Sequence, residues 1–172
     1  MLPFFAWVFP KTAQNLENYR YYLLDAAREN AHKNGFNGAQ YPWESADDGS
    51  EQCPDWTIEP DGSCYRCYVA VYEHHVTAAV AYGIYDYVKI TGDIDFLYTK
   101  GAEILTETAR FWASRCEYNN EQDRYEINQV TGPDEWHEPV NNNLYTNYLA
   151  RWNLKYVLSL LEVMQKRRDF FI

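Results

Sequence analysis

The chain has 172 residues, with 25 Asp and Glu against 15 Lys and Arg and a net charge of −10, so it is one domain of ordinary size or a piece of a larger one. The acidic balance argues against electrostatic attachment to nucleic acid or to an anionic membrane surface, and no stretch reads as a membrane span. A hydrophobic share of 47% allows a buried core and excludes disorder, while six Trp, 16 Tyr and 8 Phe supply rings that fill cores and also stack on amphipathic, neutral ligands such as sugars.

The N-terminal MLPFFAWVFPK is apolar but lacks a basic leader and a small-residue cleavage site, so it does not read as a signal peptide, and a cytoplasmic location is the expectation. From Pro10 to Asn34, Ala13, Leu16, Tyr19, Leu23, Ala27 and Ala31 recur at three- and four-residue spacings, which predicts an amphipathic helix in one or two parts. Residues 35–68 lack periodicity and are dense in Gly, Pro, Asp, Ser and Trp, the composition of a long functional loop.

A second helix is predicted from about Val69 to Thr91, stopped by Gly92, and a third from Asp93 or Asp95 as cap through Arg115. Residues 117–140 hold a strand-like RYEIN, a turn and an acidic run. The last helix starts near Asn141, Asn142 and Asn143 and runs to about Arg168, with Tyr145, Leu149, Trp152, Tyr156 and Leu160 on one side. Helices in succession with very unequal loops describe an all-α domain whose long loops gather at one end, where the site belongs.

The cysteines, Cys53, Cys64, Cys67 and Cys116, include one C-x-x-C. No second pair or H-x₃₋₅-H spacing completes a zinc site, and the pair sits between an acidic loop and a helix and not in a βαβ redox context, so no metal and reduced thiols are expected.

Three clusters could carry chemistry. VTGPDEWHEPVNNN at 130–143 places Asp134, Glu135 and Glu138 within five residues of one another beside Trp136 and His137. A carboxyl group against an aromatic face loses hydration, which raises its pKa toward what a proton donor needs; the plain alternative is that acids before a helix are caps. GAQYPWES at 38–45 sets Trp43 beside Glu44, a pairing that can cover the apolar face of a sugar ring and accept bonds from its hydroxyls, although a buried loop anchor explains the indole equally well. In Glu73-His74-His75 two adjacent histidines on a helix point about 100° apart, which suits one facing a site and the other solvent, and makes a poor chelating pair.

GAQYPWES, EHHVTA, TGDIDFL, GAEILTETARFWASR and above all VTGPDEWHEPVNNNLYTNYLARWNL, in this order, resemble the catalytic domain of glycoside hydrolase family 65, which includes maltose, trehalose, kojibiose and nigerose phosphorylases and related hydrolases. The resemblance runs to about Asn153. It implies an (α/α)₆ barrel of the six-hairpin glycosidase type, of which residues 1–172 make only part, starting after an upstream sugar-binding stretch and stopping before a C-terminal phosphate-binding loop. It also implies that Glu135 is the general acid, that Trp43, Glu44, His75 and Trp136 lie at sugar-contacting positions, and that the loop around 61–72 sets acceptor preference. The reaction so implied is inverting phosphorolysis of an α-glucosidic disaccharide to β-glucose 1-phosphate, with inorganic phosphate as co-substrate and no metal or organic cofactor.

Ordinary inverting hydrolysis needs a second carboxylate roughly 6.5–9.5 Å from the first to activate water, whereas phosphate is already a nucleophile. The alternatives are a hydrolase of the same family, with its base outside this segment, and an inactive sugar-binding piece. Intact members are often dimers. Two departures from the family pattern stand out: Ala79 where Asp is common, and Trp136 where many members have Tyr. Asp134 and Glu138 are expected as supporting partners or caps. Asn141, Asn142 and Asn143 are expected to fasten the acidic loop to the last helix through side-chain to backbone bonds.

Overall fold

The computed structural model describes residues 2–135 and 139–170. Pro10 sets the first boundary: it has no N–H to give a preceding turn, so α1 (Leu2–Val8) ends and α2 (Pro10–Tyr22) starts with proline in its first turn. Leu23 then separates α2 from α3 (Leu24–Lys33), which realises the expected helix in two parts.

The predicted second helix is interrupted. α4 (Val69–Tyr72) stops at Glu73, whose ψ of 59° leaves the helical region, and α5 (His75–Thr91) begins two residues later. The Tyr72 carbonyl accepts from the Thr131 N–H at 3.0 Å, a tertiary bond in place of a helical one, which explains why local periodicity did not reveal the break. Gly92, at φ 71°, closes α5 with its N–H on the Val88 carbonyl. Asp93 caps the next segment as expected, its carboxylate accepting from Phe96 N at 3.0 Å. That segment runs through α6 (Ile94–Phe96), a π-helical stretch (Leu97–Gly101) and α7 (Ala102–Arg115). The last helix, α8, spans Leu144–Phe170.

Two short antiparallel hairpins decorate the helices. β1 (Trp56–Ile58) pairs with β2 (Cys64–Arg66) inside the stretch read as loop, and β3 (Glu117–Asn119) pairs with β4 (Arg124–Glu126), which contains the start of RYEIN. No described helix is long and apolar enough to cross a membrane.

α5 packs against α1, α2, α7 and α8, and α7 also meets α3 and α8. One core cluster lies between these helices, with Ile84, Ile104, Leu105 and Tyr41 essentially inaccessible. A second cluster, Phe111, Trp112, Ala78, Leu149 and Ala150, takes in Ile127 and Val130 from the segment leading to Glu135, so apolar burial fixes the stem of the acidic loop. Gly38 is needed where the first long loop crosses α7. Its φ is 75°, and a Cβ there would lie 2.2 Å from the Glu107 carbonyl oxygen. The neighbouring Ala39 N–H donates to that carbonyl at 3.0 Å.

Candidate active site

The two long loops converge at one end of the helices. In the first, Tyr41 is buried, its N–H donating to Thr77 Oγ1 at 3.1 Å and its hydroxyl to the Arg20 carbonyl at 2.8 Å. After the buried Pro42, Trp43 and Glu44 are exposed. Their backbone is held by Glu51, whose carboxylate accepts from Trp43 N at 2.6 Å, Glu44 N at 2.9 Å and Cys53 N at 3.0 Å. A single carboxylate gathering these amides makes the Trp43-Glu44 step a defined platform.

His75, the first residue of α5, stands between the loops. Its ring meets Trp43 at 6.0 Å and Tyr145 at 5.4 Å between centroids, both edge-on. Nδ1–H donates to the Thr131 carbonyl at 3.3 Å, and Nε2 lies 3.8 Å from a carboxylate oxygen of the buried Glu73. Burial pushes the His75 pKa below the usual histidine value, while the Thr131 carbonyl and the charge of Glu135 oppose that shift.

His74 does not face solvent. It is buried against Phe36 and Phe111, and its Nδ1 accepts from Arg115 Nε at 3.0 Å while its Nε2–H donates to the Val71 carbonyl at 2.9 Å. That tautomer leaves no room for a second proton beside the guanidinium, and burial followed by the Arg115 charge pushes the pKa down to about 4. The break at Glu73 thus presents the two histidines to different surroundings, one structural and one in the site.

The acidic loop leaves the core at Val130, which forms an isolated bridge with Val140. The three asparagines do fasten it. Asn141 Oδ1 accepts from Gln129 N at 2.9 Å, Asn142 Oδ1 from Ile127 N at 3.2 Å, and Asn143 Oδ1 from Thr146 N at 3.1 Å as the cap of α8. Gly132 packs against the same cap: a Cβ there would lie 2.4 Å from Asn143 Nδ2. Glu135 is exposed at the end of this braced stem, close enough for its charge to act on His75. Trp136 and Glu138 lie outside the described residues.

The structure therefore brings Trp43, Glu44, His75 and Glu135 to one end of the fold, with Ala79 one helical turn below His75 on α5. The sequence pattern does not mark Glu51 or Tyr145 as site residues. Tyr145 sat in the apolar stripe of the last helix, and Glu51 was one acid among many in a loop without periodicity. Cys53 and Cys67 are free thiols with sulfurs 4.0 Å apart at the base of the β1–β2 hairpin. Among the described residues no group of three or more His, Cys, Asp or Glu could hold a metal ion.

Helices packed on one another, with rings and carboxylates gathered on the loops at one end, make an all-α domain with a loop-built cleft of the kind that enzymes use for small ligands. Residues 1–171 match the model of the glycosyl hydrolase family 65 central catalytic domain, and the chain belongs to that family. It is 55% identical over 172 residues to a kojibiose phosphorylase of Caldanaerobacter subterraneus subsp. tengcongensis (strain DSM 15242 / JCM 11007 / NBRC 100824 / MB4), an alignment covering 99% of this chain and 22% of that protein. It is 42% identical over 164 residues to a kojibiose hydrolase of Flavobacterium johnsoniae (strain ATCC 17061 / DSM 2064 / JCM 8514 / BCRC 14874 / CCUG 350202 / NBRC 14942 / NCIMB 11054 / UW101), covering 95% of this chain and 22% of that one.

A solved structure described as "Putative kojibiose phosphorylase from human microbiome" superposes with a TM-score of 0.81 at 30% identity over 93% of this chain and 22% of its own. The mostly helical fold is thus part of an (α/α)₆ barrel, and the chain spans about a fifth of the length of the relatives it matches.

Proposed function

We propose that this segment supplies the proton donor and part of the sugar-binding wall of an inverting disaccharide phosphorylase acting on kojibiose. The observation that carries the reading is the braced exposure of Glu135 beside the Trp43, His75 and Tyr145 rings. In the proposed reaction Glu135 gives its proton to the glycosidic oxygen as the bond from that oxygen to the anomeric carbon breaks. A phosphate oxygen bonds to the same carbon from the opposite face, giving β-glucose 1-phosphate and glucose. The proton lost by Glu135 is restored from the acidic form of the next phosphate. This group transfer balances without a metal or an organic cofactor.

Trp43 would cover an apolar sugar face and Glu44 would accept from hydroxyls, and the family resemblance makes Trp136 a further sugar-contacting residue. The 42% identical kojibiose hydrolase supports a second reading, in which water replaces phosphate and a second carboxylate from elsewhere in the whole protein acts as base. The proton-donor role is tested by Glu135→Gln in the whole protein. Disaccharide turnover is expected to fall about 10²–10⁴-fold, with substrate binding largely kept. Retained turnover would move the role to another acid of the loop.

A further inference from the structure

Arg115 ends α7 with its side chain 6% exposed, and its guanidinium joins four separate segments. Nε donates to His74 Nδ1 at 3.0 Å, at the junction that leads into His75. Nη2 donates to the Asn128 carbonyl, with the Gln129 carbonyl at 3.5 Å, in the stem that leads to Glu135. Nη1 reaches Glu117 on β3 at 3.2 Å, and the guanidinium lies over the Phe36 ring at 5.5 Å. Two further bonds tie the same pair of segments: Thr131 N to the Tyr72 carbonyl, and His75 Nδ1 to the Thr131 carbonyl.

We infer that Arg115 and His74 form a positioning pair that fixes the stem of the Glu135 loop against the His75 segment, and so sets where the proton donor stands relative to the bound sugar. The inference deepens the proposed function and rests on Glu135 as donor. A fork of several N–H groups in one plane is what this junction uses, because one group must reach an imidazole nitrogen and the other a carbonyl. Lysine offers one nitrogen and cannot span both. His74, kept neutral, supplies the acceptor that completes the geometry. Both side chains are buried, whereas Trp43, Glu44 and Glu135 are exposed.

The test compares two substrates of the whole protein under saturating phosphate: kojibiose, whose leaving oxygen needs a proton, and α-glucosyl fluoride, whose leaving fluoride needs none. Arg115→Gln and Arg115→Lys are expected to lower kcat on kojibiose about 10–100-fold, with KM changed less than about threefold and fluoride turnover changed less than about threefold. His74→Leu should show the same selective loss, and His74→Asn, whose Oδ1 keeps an acceptor near the Nδ1 position, should recover most of it. Thermal unfolding reports which variants are folded, and the two His74 variants carry the test if those at Arg115 are not.

Equal losses on both substrates in folded variants, or full kojibiose turnover, would overturn the inference. Glu135→Gln run alongside separates the two levels. If it shows the selective loss and the Arg115 and His74 variants do not, the positioning role alone fails. If Glu135→Gln itself loses no kojibiose turnover, the donor assignment fails and the inference falls with it.

Discussion

Acidification from pH 7 to pH 4.5 should change the stability of this chain through two buried groups that oppose each other. His74 has its pKa pushed down to about 4 from 6.5, by burial first and the Arg115 charge second. Its contribution is fully present above pH 6.5 and is lost as pH falls toward 4, because the unfolded chain takes up the proton first. Glu17, buried on α2 and partly offset by Arg20, has its carboxyl pushed up from 4.5 to about 7. Its contribution is fully present below pH 4.5 and is lost as pH rises through 7. Each shift corresponds to about 2–3 kcal/mol across this window, with opposite signs, so the pair nearly cancels.

His75, also held low by burial, adds to the acid-side loss, and Glu126, held low by Arg124, begins to add at the acid edge. Between pH 7 and 4.5 the urea unfolding midpoint of the parent should therefore move less than either His74 or Glu17 alone would move it, with the balance toward acid destabilisation. Glu17→Gln should lose about 2–3 kcal/mol more than the parent on acidification, and His74→Asn should gain by a similar amount relative to it. Parallel pH dependence in all three chains would refute the assignment of these two groups.

Gly132→Ala should displace the Asn143 side chain and weaken the start of α8, costing about 1–2 kcal/mol. Asn143→Ala should cost about as much, and the double variant clearly less than the sum, read from urea midpoints. Glu51→Ala frees the Trp43 and Glu44 amides, so in the whole protein it should raise KM for the disaccharide by about tenfold with little change in kcat; a loss confined to kcat would contradict the platform role.

What could be read from sequence was local. Pro10, Gly92 and Asp93 marked helix boundaries through their own backbone chemistry, and the asparagine triplet advertised its caps. The motif order led to the family, and the loops it marked do meet at one end. What escaped was set by distant partners. At the break beside Glu73 the Tyr72 carbonyl accepts from the distant Thr131 as well as from His74, and buried His74 pairs with Arg115, 41 positions away. The β1–β2 hairpin has three-residue strands with mostly exposed side chains, too short for alternation to show. Glu51 gathers amides seven and eight positions before it, a pattern that no periodicity encodes.

The most direct measurement is the phosphate dependence of kojibiose cleavage by the whole protein, following glucose 1-phosphate and its anomeric configuration. β-Glucose 1-phosphate is expected to form only when phosphate is present, in step with released glucose. Glucose release at the same rate without phosphate would contradict phosphorolysis and make the protein a hydrolase.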